Sequence, residues 1–204
     1  MRITEIKKSK QGLKYHLYVD GEFFGVFLDE ILAKYNIKTG DEVDENFCAV
    51  KKENDEKLCF LTAVTYLEKY NVSTKGLKDY LFRKNFKKDS VESAVLKLKE
   101  YGYLNDERFA RNYFETLSLS KGKRVIAQKL KEKGISREII DELLASVDDE
   151  DEEARATEIA LKFAKNREKT LKNKQKCLAH LIYKGYSYDV AQRIAGKIYN
   201  GGDE

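Results

Sequence analysis

Proline is absent from this sequence, against roughly 5% in average usage. That removes the strongest helix breaker and, with Lys, Glu, Leu and Ala abundant, points to an α-rich chain. The three cysteines, Cys48, Cys59 and Cys177, are odd in number and widely spaced, with no C-x-x-C pair. Neither a disulfide framework nor a zinc knuckle is written here, and reduced core thiols are expected. Only two histidines occur, His16 and His180, which is little material for a metal site or a general base. His180 reads as a residue on a helix face. No run approaches the roughly 18 apolar residues of a spanning helix, and the opening Met1-Arg2-Ile3-Thr4-Glu5 lacks the apolar core of a secretory signal. A cytoplasmic protein without membrane contact is therefore expected. Charge of one sign is also missing, since 39 Lys and Arg face 35 Asp and Glu. The net charge of +4 thus comes from two nearly cancelling populations rather than a basic tail.

What is present begins with 23 aromatics, 13 Tyr plus 10 Phe, far too many for a chain that never collapses. From Leu13 to Leu28 the residues Tyr15, Leu17 and Val19 alternate with Lys14, His16 and Tyr18. That period of two predicts a strand, and Asp20-Gly21 before Phe23 to Phe27 predicts a hairpin with a tight primed turn. A strand at Ile3 to Lys8, reversing near Gln11-Gly12, would add a third. Leu28 to Tyr35 resembles a short helix, and Ile37 to Val43 a loop into one more short strand.

The rest of the chain repeats itself. Gly76 to Leu98, Val125 to Val147 and Lys176 to Ile198 superimpose without an internal gap, so that Leu77, Leu81, Phe86 and Val91 match Ile126, Leu130, Ile135 and Ile140, and then Cys177, Leu181, Tyr186 and Ala191. Spacings of three and four on either side of an interruption describe two amphipathic helices joined by a turn. At that turn Lys84-Asn85-Phe86, Lys133-Gly134-Ile135 and Lys184-Gly185-Tyr186 place Asn or Gly where a residue just past a helix must adopt the left-handed conformation. The apolar residue that follows should pack back on Leu81, Leu130 or Leu181. Ser136, Ser187 and Ser73-Thr74 stand at N-cap positions, and Asp89 would cap a slightly later start in the first repeat. Helical stretches at Leu58 to Tyr70, Asp106 to Leu119 and Glu152 to Asn166 precede the pairs, the second with Asn105 as N-cap. The expected fold is mainly α: a β-rich cap over residues 1–57, then three-helix repeats over 58–104, 105–147 and 148–204, forming a curved, elongated array. The six acids from Asp148 to Glu153 read as a solvated junction running into a helix N-terminus.

No catalytic constellation emerges. Lys121-Gly122-Lys123-Arg124 superficially resembles a phosphate loop, but it lacks the upstream glycine and the hydroxyl residue that a nucleotide-binding loop requires. Charge is uneven, however. Lys69 to Lys88 holds seven bases and one acid, and Lys121 to Lys133 and Lys165 to Lys176 each hold six and one. These clusters fall near the second helix of each repeat, the footprint of a polyanion or of an acidic protein surface, or else a lysine-rich solvated face.

Tyr101-Gly102-Tyr103-Leu104-Asn105-Asp106-Glu107-Arg108-Phe109-Ala110, followed by Lys121-Gly122-Lys123-Arg124 and Leu130-Lys131-Glu132-Lys133-Gly134-Ile135-Ser136, resembles the signature of the RecX family of bacterial recombination regulators. The likeness extends over about residues 58–200, and the cap is similar to the N-terminal extension of longer members. Asn105 stands where aspartate is commoner, and Asn85 where glycine is. The resemblance implies a non-enzymatic protein, needing no cofactor or metal, that binds RecA recombinase in the groove of its single-stranded-DNA filament. There it modulates, by inhibition as the expected direction, ATP hydrolysis and strand exchange. A monomer is expected, with direct DNA contact weak. The basic groups expected to meet the filament or its DNA are Lys84, Lys88, Arg108, Arg111, Lys121, Lys123, Arg124, Lys133, Arg167, Lys172, Lys174 and Lys176. Among them Lys121, Lys123 and Arg124 stand out, because chain reversal should expose them. A free-standing DNA-binding or transcription module is the alternative, although Val91, Ala94, Val95 and Leu98 fill the last helix of the first repeat with core residues where base readers would be needed.

Overall fold

The structure is a computed structural model and describes residues 1–10 and 12–200. The chain divides into two compact units, the first Met1–Leu104 and the second beginning at Asn105.

In the first unit, β1 (Ile3–Lys8), β2 (Lys14–Val19) and β3 (Glu22–Leu28) form an antiparallel sheet in that order. The hairpin turns on Asp20 and Gly21, both at positive φ (49° and 86°), as a primed turn requires. The reversal expected at Gln11-Gly12 falls partly on a residue outside the described set. Strict alternation would put Phe23 and Phe27 on one face, yet Phe23 is 58% exposed and Phe27 fully buried. The cause is a register shift: Leu17 pairs with Gly25 but Tyr18 with Phe23, which leaves Phe24 as an extra residue. Phe24 and Phe27 then pack with Phe47 in the cap core.

After α1 (Asp29–Lys34), the strand expected near Val43 does not form; Arg2 and Glu42 make only an isolated bridge. Instead Asp44 accepts a hydrogen bond from the Phe47 N–H and opens α2, which runs from Glu45 to Leu67. The first helix of the first repeat therefore starts well before Leu58, and cap and repeat share it. Its front half packs Phe47 and Val50 against the sheet, and its rear half packs Cys59 and Ala63 against Leu77, Leu81, Val91 and Leu98. Asn54 joins the two parts. Fully buried, it donates to the Val26 carbonyl (2.9 Å) and accepts from the Leu28 N–H (2.9 Å), so two backbone groups of β3 gain partners. In α3 (Thr74–Arg83) Ser73 accepts from the Gly76 N–H, as expected. By contrast α4 (Lys88–Glu100) starts on Lys87 without a side-chain cap, and Asp89 lies inside its first turn.

The second unit contains α5 (Asp106–Ser118), α6 (Lys123–Glu132), α7 (Arg137–Ala145), α8 (Asp149–Ala164), α9 (Leu171–Lys184) and α10 (Tyr188–Asn200). Asn105, Ser136 and Ser187 accept from the N–H groups of Arg108, Ile139 and Val190. All three repeat turns close identically. Asn85, Gly134 and Gly185 have φ of 63°, 78° and 101°, and their N–H groups donate to Phe82, Lys131 and Ile182. The next residues, Phe86, Ile135 and Tyr186, donate to Leu81, Leu130 and Leu181 at 3.1–3.2 Å. This is the double bond of a Schellman motif. Of the cysteines, Cys59 and Cys177 are core thiols, with burial pushing Cys59 up to about 12, whereas Cys48 is exposed and not in the core.

Candidate functional site

The turn between α5 and α6 sets the geometry of the basic groups in the second unit. Four N–H groups at a helix start have no partner within the helix. Here the Gly122 N–H donates to the Lys184 carbonyl (2.9 Å) and the Arg124 N–H to the Gly185 carbonyl (3.2 Å), so the start of α6 is bonded to the end of α9. The approach admits no side chain: a Cβ on Gly122 would lie 2.5 Å from the Gly185 carbonyl carbon.

That docking puts Lys121 beside Lys184. Burial, followed by the charges of Lys184 and Lys129, lowers the Lys121 pKa. One helical turn before Lys184, His180 stacks on Phe163 (centroids 4.9 Å apart), and the Arg167 guanidinium lies 3.9 Å from the centre of the same ring. Burial and then Lys184, Arg167 and Lys121 lower the His180 pKa. Among the described residues, none of Lys121, Lys129, Arg167 and Lys184 makes an ion pair with a carboxylate. Like charges are held together without neutralisation, an arrangement that an added anion relieves.

Lys123 points elsewhere. It pairs with Asp149 (3.0 Å) and Glu152 (3.1 Å) and donates to the Val147 carbonyl (3.2 Å). Burial works against its charge, but the two carboxylates outweigh it and the pKa is raised. The expectation that chain reversal exposes Lys121, Lys123 and Arg124 alike is therefore corrected: Arg124 is exposed, whereas Lys121 and Lys123 are half-buried. Part of the acidic run has partners rather than serving only as a solvated junction: the half-buried Glu152 and the exposed Asp149 hold Lys123, and Glu153 pairs with Arg193.

The remaining candidates lie apart from this cluster. Arg108 and Arg111 are on the exposed face of α5, and Lys133 follows α6 with its Nζ 5.9 Å from the Tyr113 ring centre. Lys172 and Lys176 are exposed at the opposite end of α9 from Lys184, and Lys174 donates to Asn200 Oδ1 (3.1 Å). In the first unit Lys88 is exposed, and Lys84, also exposed, has its Nζ 5.8 Å from the Tyr80 ring centre. Lys129, His180 and Lys184 are not among the groups expected from the sequence to meet the filament, although the alignment of Lys184 with Lys84 and Lys133 is a usable signal for the last of these. No helix among the described residues is long and apolar enough to cross a membrane, and no group of His, Cys, Asp or Glu among them could hold a metal. Val91, Ala94, Val95 and Leu98 are buried, so the last helix of the first repeat presents these side chains to its own core and not to a DNA groove.

Tandem three-helix units, with basic groups gathered where two of them dock, define a helical repeat protein. The particular family follows from comparison with known proteins. Profiles of the second and third three-helix domains of RecX match residues 105–144 and 150–194. The regulatory protein RecX of Clostridium perfringens (strain SM101 / Type A) is 32% identical over 205 residues, covering 98% of this chain and 97% of that protein. The regulatory protein RecX of Listeria monocytogenes serotype 4a is 30% identical, with 96% of this chain and 75% of that protein covered. A crystal structure of regulatory protein RecX superimposes with a TM-score of 0.68 at 25% identity, over 95% of this chain and 98% of that one. RecX from Lactobacillus salivarius gives 0.64 at 25% identity, over 72% and 97%. The chain belongs to the RecX family of regulatory proteins.

Proposed function

We propose that this protein binds RecA recombinase on its single-stranded-DNA filament and lowers the ATP hydrolysis and strand exchange that the filament carries out. Its action is stoichiometric and needs no cofactor. The family supplies the partner, and one observation carries the reading at residue level: the Gly122 and Arg124 bonds to the end of α9 force Lys121 against Lys184 with no carboxylate to neutralise them. A filament presents what such a cluster lacks, either DNA phosphates or recombinase carboxylates. Phosphate contact needs charge and reach but no base recognition, which suits a regulator that acts wherever a filament forms. Lys123 serves this surface indirectly, because its pairs with Asp149 and Glu152 tie the α5–α6 turn to α8.

The test is filament-dependent ATP hydrolysis by RecA with wild-type protein and with Lys121→Gln/Lys184→Gln. Removing two mutually repelling charges leaves the fold intact, so the variant should keep its unfolding midpoint and lose most of its inhibition. A folded variant as inhibitory as wild type would contradict the assignment of this surface. Absence of any effect by wild-type protein would contradict the function itself.

A further inference from the structure

The first unit carries a separate aromatic and basic cleft. An open cavity of about 600 Å³ is lined by Thr65, Tyr66, Lys69, Tyr70, Arg83 and Lys84, together with Tyr80. Three cations line it and no carboxylate. Tyr66 and Tyr80 stack face to face (3.7 Å between centroids, 7° between planes), and Tyr70 leans on Tyr66 at 4.8 Å with 55% of its surface exposed. The inner pair packs on the apolar core and is held by it, whereas the outer ring has an open face. A second groove, of about 700 Å³, shares Tyr80 and Lys84 with the first and continues past Lys87 to His16, Phe23 and Lys14 on the sheet. Its one acid, Asp55, is paired with Lys51 (2.9 Å).

We infer that this double cleft binds single-stranded nucleic acid, with a base stacked on Tyr70 and phosphates held by Lys69, Arg83 and Lys84. The chemistry favours this ligand over an acidic protein segment. Carboxylates would use the cations alone, while unpaired bases also use a planar ring beside them, and stacking tolerates any base sequence. Duplex DNA cannot offer a base face to Tyr70. The shared Tyr80 and Lys84 give the strand a continuous path from the first groove into the second. The site lies wholly in the first unit and does not depend on the recombinase reading.

Fluorescence anisotropy of a labelled oligo-dT with the full-length protein, without recombinase, tests it. Wild type should bind oligo-dT more tightly than an abasic oligomer of equal length or a poly-glutamate of equal charge. Tyr70→Ala should weaken oligo-dT binding roughly 5- to 150-fold, the range for losing one base–ring stack, and leave the salt dependence unchanged. Arg83→Gln/Lys84→Gln should weaken binding and flatten the logarithmic salt slope by about 0.7 for each phosphate no longer neutralised. Both variants alter exposed side chains, and an unchanged unfolding midpoint confirms that they fold. Binding unaffected by Tyr70→Ala overturns the inference, as does equal affinity for the abasic oligomer. Tighter binding of poly-glutamate would assign the cleft to an acidic protein partner instead.

Discussion

The turn at Asn85 and the turn at Gly185 have the same backbone and different surroundings. Both sit at positive φ between the helices of a repeat, and both close with the same two hydrogen bonds. At Gly185 the α5–α6 turn docks so closely that a Cβ would lie 2.7 Å from the Val125 backbone nitrogen and 2.7 Å from its Cγ2. Asn85 is exposed and carries a side chain. Left-handed geometry alone admits Asn, but left-handed geometry together with a neighbouring backbone admits only Gly. A repeat turn can thus be a joint between repeats or a free rim, and the space beside its left-handed residue decides which residue types it tolerates. In the second unit the joint gathers cations; in the first, the free rim borders an aromatic cleft.

The largest expected effect breaks the joint. Gly185→Ala should cost about 3 kcal/mol or more in denaturant unfolding, combining the left-handed penalty with overpacking, whereas Asn85→Ala should cost about 1 kcal/mol. Equal costs would mean that the two turns do not differ in packing. Gly122→Ala separates the two terms, because Gly122 has an ordinary φ of −84°; only the close approach is penalised, by about 1–3 kcal/mol.

The first unit is held at a different point. Asn54→Leu would leave the Leu28 N–H and the Val26 carbonyl buried without partners, and should destabilise by about 2 kcal/mol. Stability equal to wild type would show that water reaches that end of β3.

The smallest effect is a pH dependence confined to the second unit. The folded His180 pKa lies below its ordinary value of 6.5, so the unfolded chain takes up a proton first as pH falls. Stability should decline from pH 6.5 down to the folded value and then level off, and His180→Gln should remove that segment of the profile. An identical profile for the variant would show that burial and the neighbouring cations do not depress His180 in the folded protein.

Much of this architecture is legible in the sequence because it rests on local chemistry. Alternation locates the hairpin, and Asn or Gly at one aligned position locates three Schellman turns. What is illegible depends on partners distant in sequence. Asn54 sits in the charged run Lys51 to Lys57, and nothing local marks it as buried; its partners are on β3. For the same reason the sequence pattern divides α2 at Leu58, although one helix serves two cores. Lys123 reads as a surface base because its acids lie beyond α7. The bulge at Phe24 puts Phe23 and Phe27 on opposite faces, which strict alternation does not anticipate.

The central claim is that cations gathered by the joint, not basic residues at large, meet the recombinase filament. Filament binding measured across a salt series for wild type, Lys121→Gln/Lys184→Gln and Lys172→Gln/Lys176→Gln tests it most directly, since both variants remove the same charge from the same unit. The account predicts a large loss of affinity and a flatter salt slope for the first variant, with the second close to wild type. Equal losses for the two would contradict it and leave the cluster as one part of a diffuse basic face.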